Sequence, residues 1–241
     1  MDVLLLASID FASPLMWATV IGWIMTVVLH EFAHGIVAYW GGDWTIKERG
    51  GLTLNPIQYI NPVTSIVLPV IFVLMGGVPL VGGATFIRRD LLRNRAWESA
   101  VSLAGPAMNL LVAAVLMLLL RPSLGLFETS GPVSGWSNGA VVMGAVATLE
   151  VMMAMLNLIP LPPLDGFNAI SPFLPEELVD RMRQPVVQMV SLVVLFGVVT
   201  RLPVYDRIWI GAVNEMSKWA SGGLTVLDFV QAFNLALFGS V

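Results

Sequence analysis

Apolar residues run almost unbroken over 15–40, 97–120 and 140–158. At about 1.5 Å per residue, each stretch predicts a helix able to cross a hydrocarbon core about 30 Å thick. A fourth, shorter apolar stretch covers 185–202. The third stretch stops before Pro160, Pro162 and Pro163, which cannot continue a helix. Residues 208–219 predict an amphipathic helix. Residues 224–238 are apolar but carry Asp228, Gln231 and Asn234 along one face. They predict a tail that lies on the membrane or packs on the core. Residues 63–81 are apolar but interrupted by Pro69, Gly76, Gly77 and Pro79, and their unbroken part is short for a span.

Composition places this pattern in a bilayer. The chain is 57% hydrophobic and 12% charged, with mean hydropathy +0.83. Soluble domains carry about twice that charged fraction. The small net charge of −4 does not bear on nucleic acid, but none of the twelve basic residues clusters with aromatic platforms, so nucleic-acid binding is not expected. The absence of Cys excludes disulfides and thiolate metal sites. Asp2 and Asp10 interrupt the first apolar run, and no basic segment precedes it, so a cleavable signal peptide is not expected. The pattern predicts a single membrane-embedded domain over 1–241, with a core at 15–203 and a tail at 204–241. The expected fold is an all-α polytopic membrane protein with about four to six transmembrane helices.

The chain has only two His, four residues apart in the first apolar stretch: His30-Glu31-Phe32-Ala33-His34. Residues i and i+4 share a helix face, so both imidazoles can bind one Zn²⁺, and the adjacent Glu31 can polarise a water there. Three ionisable groups within about a turn of a membrane span are too costly to be incidental, since insertion scales charge about 2.5–3.5 kcal/mol for each charged residue. Gly35 follows and is expected to leave space near the metal. With no Cys, a third protein ligand must be a carboxylate. Glu150 and Asp165 are the candidates. Asp165 follows a stiff proline turn and precedes Gly166, expected to permit an unusual backbone angle. Glu150 lies about 10 Å deeper than the end of its helix, a position better suited to a hydrogen bond to another helix or to a water path.

If Asp165 joins the His pair, the first and third stretches run parallel. Residues 63–81 then form a re-entrant segment rather than a full crossing. This topology gathers Lys47, Arg49, Arg88, Arg89, Arg93, Arg95, Arg181 and Arg183 at one end. Arg121 stands at the other, before the fourth stretch ends. The rich end is then cytoplasmic, and the candidate site lies nearer to it.

Two motifs in this order resemble the site-2 protease family of intramembrane metalloproteases: His30-Glu31-Phe32-Ala33-His34-Gly35, and Asn157-x-x-Pro160 through Leu164-Asp165-Gly166. Ser102 to Asn109, Gly51 to Pro56 and Asn61-Pro62 are similar to segments of its compact bacterial members. The resemblance implies one zinc per chain, held by His30, His34 and Asp165, with Glu31 as general base. It also implies that Asn157 steadies the substrate or the oxyanion. An inter-helix hydrogen bond is the alternative role for Asn157. The implied activity is cleavage of transmembrane segments of membrane proteins within the lipid bilayer, in a bacterial inner membrane. Residues 82–86 are similar to a substrate-clamping strand, so a short β element near the active site is expected. An ion or metal transporter, or a pseudoprotease of the same fold, would share the buried polar groups. The transporter leaves the proline turn unexplained, and the pseudoprotease leaves Glu31 unexplained.

Overall fold

The computed structural model describes residues 9–60, 65, 83, 85–197 and 202–239. Its helices are α1 (Pro14–Gly41), α2 (Thr45–Glu48), α3 (Arg95–Leu119), α4 (Asn138–Asn157), α5 (Asp165–Ile170), α6 (Glu176–Met182), α7 (Pro185–Gly197), α8 (Pro203–Ala220) and α9 (Val226–Phe238). Among the described residues, α1, α3 and α4 are long and apolar enough to cross a membrane. Their bounds fall within two residues of the predicted stretches at every end. The expected four to six spans thus reduce to three among the described residues. The fourth stretch is represented by α7, and residues 198–201 lie outside the description.

Local chemistry sets the helix ends. Pro14 occupies the first turn of α1, where its missing N–H costs nothing. Gly42 ends α1 at φ 124°, a backbone angle that disfavours any Cβ. Asn94 caps α3 by accepting from the Trp97 amide at 3.1 Å. Thr225 and Asp228 form a reciprocal capping box at the start of α9.

The packing register orients the three long helices. Between α1 and α3, His30 pairs with Asn109 and His34 with Val101, so position rises in one helix as it falls in the other. These two helices are antiparallel. Between α1 and α4, a Cβ on Gly22 would lie 3.2 Å from Val146, and Thr26 bonds Glu150. Both numbers rise together, so α1 and α4 are parallel, as the sequence argument requires. Arg93 N donates to the Gly41 carbonyl at 2.9 Å, so the 42–94 connection leaves and returns at one end of the bundle. The buried Asp43 gathers this connection by accepting from the Arg49 side chain and the Arg88 amide, each at 2.8 Å. Residues 63–81, expected to be re-entrant, lie outside the described residues except Ser65.

The tail packs on the core. α9 buries Phe229, Ala232, Phe233, Ala236 and Leu237, and Thr148 on α4 donates to the Phe229 carbonyl at 3.1 Å. α8 begins earlier than predicted, at Pro203, and buries Tyr205, Trp209 and Val213. Asp228, Gln231 and Asn234 stay half-buried, since the apolar face opposite them takes the core. At the far end of the bundle, Arg121 donates to the Ala220 and Trp219 carbonyls, which satisfies the end of α8.

No strand occurs among the described residues, and 85–88 run without regular structure. The expected β element is therefore absent from the described part of 82–86, while Gly82 and Ala84 lie outside it. The described part lies beside Glu31. Thr85 Oγ1 donates to the Glu31 carbonyl at 3.1 Å, and a Cβ on Gly83 would stand 2.6 Å from Glu31 Cγ.

Candidate metal centre

His30 and His34 project from one face of α1, and both are buried. Their Nε2 atoms lie 3.0 Å apart. Asp165 is the first residue of α5 and brings Oδ2 to 3.2 Å from His30 Nε2 and 3.4 Å from His34 Nε2. The proline turn delivers it there: Leu161 N bonds the Ile159 carbonyl at 2.8 Å and Leu164 N bonds the Leu161 carbonyl at 2.9 Å. The structure thus brings together the three predicted ligands, from α1 and from the segment after α4.

The second ring nitrogens define what the first can do. His34 Nδ1 lies 2.6 Å from the Val101 carbonyl, which can only accept, so Nδ1 carries the proton. His30 Nδ1 lies 2.9 Å from Asn109 Oδ1, which imposes the same tautomer. With neutral rings, both Nε2 lone pairs therefore point at each other and at a carboxylate oxygen. Three such lone pairs repel unless a cation lies between them. Donors held about 2.0–2.1 Å from a tetrahedral centre sit about 3.3 Å apart, close to the three observed spacings. The donor set fits zinc, and the Nδ1 contacts are the outer supports that metal-binding imidazoles ordinarily have.

Gly105 supplies the space. A Cβ there would overlap the Nε2 atoms of both His30 and His34. The expectation for Gly35 is corrected by the same test: a Cβ on Gly35 would strike the Gly51 carbonyl, so that glycine admits a loop rather than a metal. Gly166 is corrected too. Its φ is not positive, and a Cβ on it would strike the Leu158 and Ile159 carbonyls. It lets α5 fold back against the end of α4.

Comparison with known proteins agrees with this geometry. The chain is 33% identical over 168 residues to the "Putative zinc metalloprotease YwhC" of Bacillus subtilis, covering 68% of this chain and 73% of the relative. The chain belongs to the site-2 protease family. Within that family it is also 38% identical over 179 residues to the "Putative zinc metalloprotease Rip2" of Mycolicibacterium smegmatis, covering 74% of this chain. Rip2 of Mycobacterium tuberculosis H37Rv is 38% identical over 177 residues, 73% of this chain. The chain spans 65% and 64% of the length of those two Rip2 relatives. No family model and no solved structure matches it.

Glu31 is buried beside the His pair, and its carboxylate makes no hydrogen bond among the described residues. Asn157 is the last residue of α4 and half-buried. Its side chain makes no hydrogen bond among the described residues, so the inter-helix bond considered for it is not found there. Glu150 is not among the converging ligands. It accepts from Thr26 Oγ1, whose hydroxyl also lies 2.8 Å from the Trp23 carbonyl, so it ties α4 to α1 as the helix-to-helix reading expected.

Val101, Gly105 and Asn109 line the candidate centre, and the sequence did not mark them for it. They recur every four residues on α3, one buried stripe facing both imidazoles. A polar Asn109 in that stripe was the available signal. Asn109→Leu should weaken zinc binding about 10–100-fold, because His30 loses the acceptor that fixes its tautomer. Competition with a chelator of known affinity checks this. Wild-type affinity in the variant would show that the Asn109 contact does not support the metal.

Proposed function

We propose that the chain is a zinc-dependent endopeptidase that cuts transmembrane segments of membrane proteins. The supporting observation is the buried convergence of His30, His34 and Asp165 with both imidazole Nδ1 protons already engaged. Zinc, when bound, supplies Lewis acidity that polarises a peptide carbonyl and makes water a better nucleophile at neutral pH. His30, His34 and Asp165 hold it, and Gly105 keeps its place open. Glu31 takes the proton of the attacking water and passes it to the leaving amine. Asn157 offers its amide to the oxyanion, a type of contact worth about 2.7–4 kcal/mol where it has been removed.

A transmembrane helix keeps its amides paired, so the substrate must unwind before attack. Gly83 and Thr85 run beside Glu31 and give an unwound substrate a backbone to lie against. The arginine-rich end of the bundle, which carries Asp165, faces the cytoplasm of a bacterial inner membrane.

Single-span membrane proteins incubated with the full chain in vesicles test this reading. We expect cleavage inside the span, loss of cleavage with a zinc chelator, and recovery on adding zinc. Replacing Gly, Asn or Pro near the cut by Leu should slow cleavage, since each amide exposed in lipid costs several kcal/mol. Cleavage that persists after zinc has been stripped would refute the mechanism.

A further inference from the structure

Two guanidiniums meet beside the metal centre without a counter-charge of their own. Arg89 donates to Asn168 Oδ1 at 2.8 Å and to Ser171 Oγ at 3.4 Å. Arg183, at the end of α6, donates to the same Ser171 Oγ at 3.3 Å. Ser171 is buried, and its hydroxyl donates to the Asn168 carbonyl at 3.1 Å. Among the described residues neither arginine forms an ion pair, whereas Arg49 and Arg88 each have an aspartate. The carboxylates that act on Arg89, Glu98 and Asp165, do so from beyond ion-pair distance.

Two like charges held around a neutral hydroxyl repel each other. Burial, together with the Arg183 charge, lowers the Arg89 pKa from its ordinary value. Each guanidinium keeps N–H donors beyond those used, in a planar fork that matches the oxygens of a phosphate. The position suits such a group. Arg89 lies in the connection before α3 and Arg183 follows α6, both at the arginine-rich end of the bundle; with α1, α3 and α4 set across a bilayer, that end reaches the headgroups.

We propose that Arg89 and Arg183 form a binding site for a phosphate-class anion, supplied by an anionic lipid headgroup or by free phosphate. The site joins two parts of the catalytic neighbourhood. Arg89 closes the segment in which Thr85 bonds the Glu31 carbonyl, and Asn168 sits on α5, the helix that begins at Asp165. An anion held there draws the Glu31 side of the centre against the Asp165 side. The inference concerns binding and stands apart from the proteolytic reading.

The test uses the full chain in detergent at matched ionic strength. The probes are short-chain phosphatidylglycerol, short-chain phosphatidylcholine and inorganic phosphate, read as shifts in Tm and apparent affinity. We expect stabilisation by phosphatidylglycerol or by phosphate beyond that given by phosphatidylcholine. A shift from the lipid alone assigns the headgroup as the source, and one from phosphate alone assigns solution. Arg183→Gln removes an exposed side chain with one hydrogen bond and should weaken the effective probe about tenfold or more. Arg89→Lys keeps the charge, loses the fork and should weaken it as well. Arg207→Gln, outside the cluster, should leave it unchanged. No shift from either anion, or an undiminished shift in Arg183→Gln, would overturn the proposal.

Discussion

Gly105→Ala should strip the protein of its zinc while leaving its helices folded. The added methyl would occupy the volume that the Nε2 atoms of His30 and His34 face. Two responses compete. The rings can swing away and lose their Nδ1 bonds to Asn109 and Val101, or α3 can back away from α1. Backing away disturbs a stripe of α3 that also buries Val101, Ala113 and Met117, and overpacking of this kind costs about 1–3 kcal/mol. Ring rotation disturbs fewer contacts, so the metal site should give way first. Zinc affinity should fall by about two orders of magnitude or more, equivalent to about 3 kcal/mol. Gly211→Ala on α8 is the control, since a Cβ there meets nothing within 4 Å. It should retain zinc and gain up to about 1 kcal/mol from helix propensity. Metal analysis and far-UV circular dichroism of both variants check the pair. Full zinc occupancy in Gly105→Ala would show that the space facing the two imidazoles is not where the metal sits.

The second large effect falls on the rate. Glu31→Gln should lower peptide cleavage about 10²–10⁴-fold, the range for removing a general base, while zinc content stays at the wild-type level. The amide has the shape of the carboxylate but does not accept the water's proton. Glu31 is absent from the three converging ligands, so its loss should not release the metal. Zinc lost together with activity would make Glu31 a ligand and require a different base.

Much of the site is legible in the sequence because its signals are local. His30 and His34 share a face by helix geometry alone, and the prolines before Asp165 announce a stiff turn. The helix directions follow once these two are required to meet. Val101, Gly105 and Asn109 are less legible because their role arises from antiparallel packing of α3 on α1. A glycine inside an apolar helix carries no label for what it faces. Gly35 shows the same difficulty in reverse: it sits next to the motif, yet its missing side chain accommodates the Gly51 carbonyl. The tail illustrates a third case. Its apolar face could have met lipid or protein, and only the tertiary arrangement places Phe229 and Phe233 against the core. The expected strand lay in a segment rich in glycine, whose backbone is weakly specified by sequence.

The most direct measurement is the metal content of three purified proteins: wild type, Asp165→Ala and Glu150→Gln. Glu150 is the buried carboxyl that could rival Asp165, yet the structure bonds it to Thr26 and leaves it outside the converging triad. Wild type and Glu150→Gln should each hold about one equivalent of zinc, and Asp165→Ala should hold far less. Full zinc in Asp165→Ala, or zinc lost only in Glu150→Gln, would contradict the assigned ligand set.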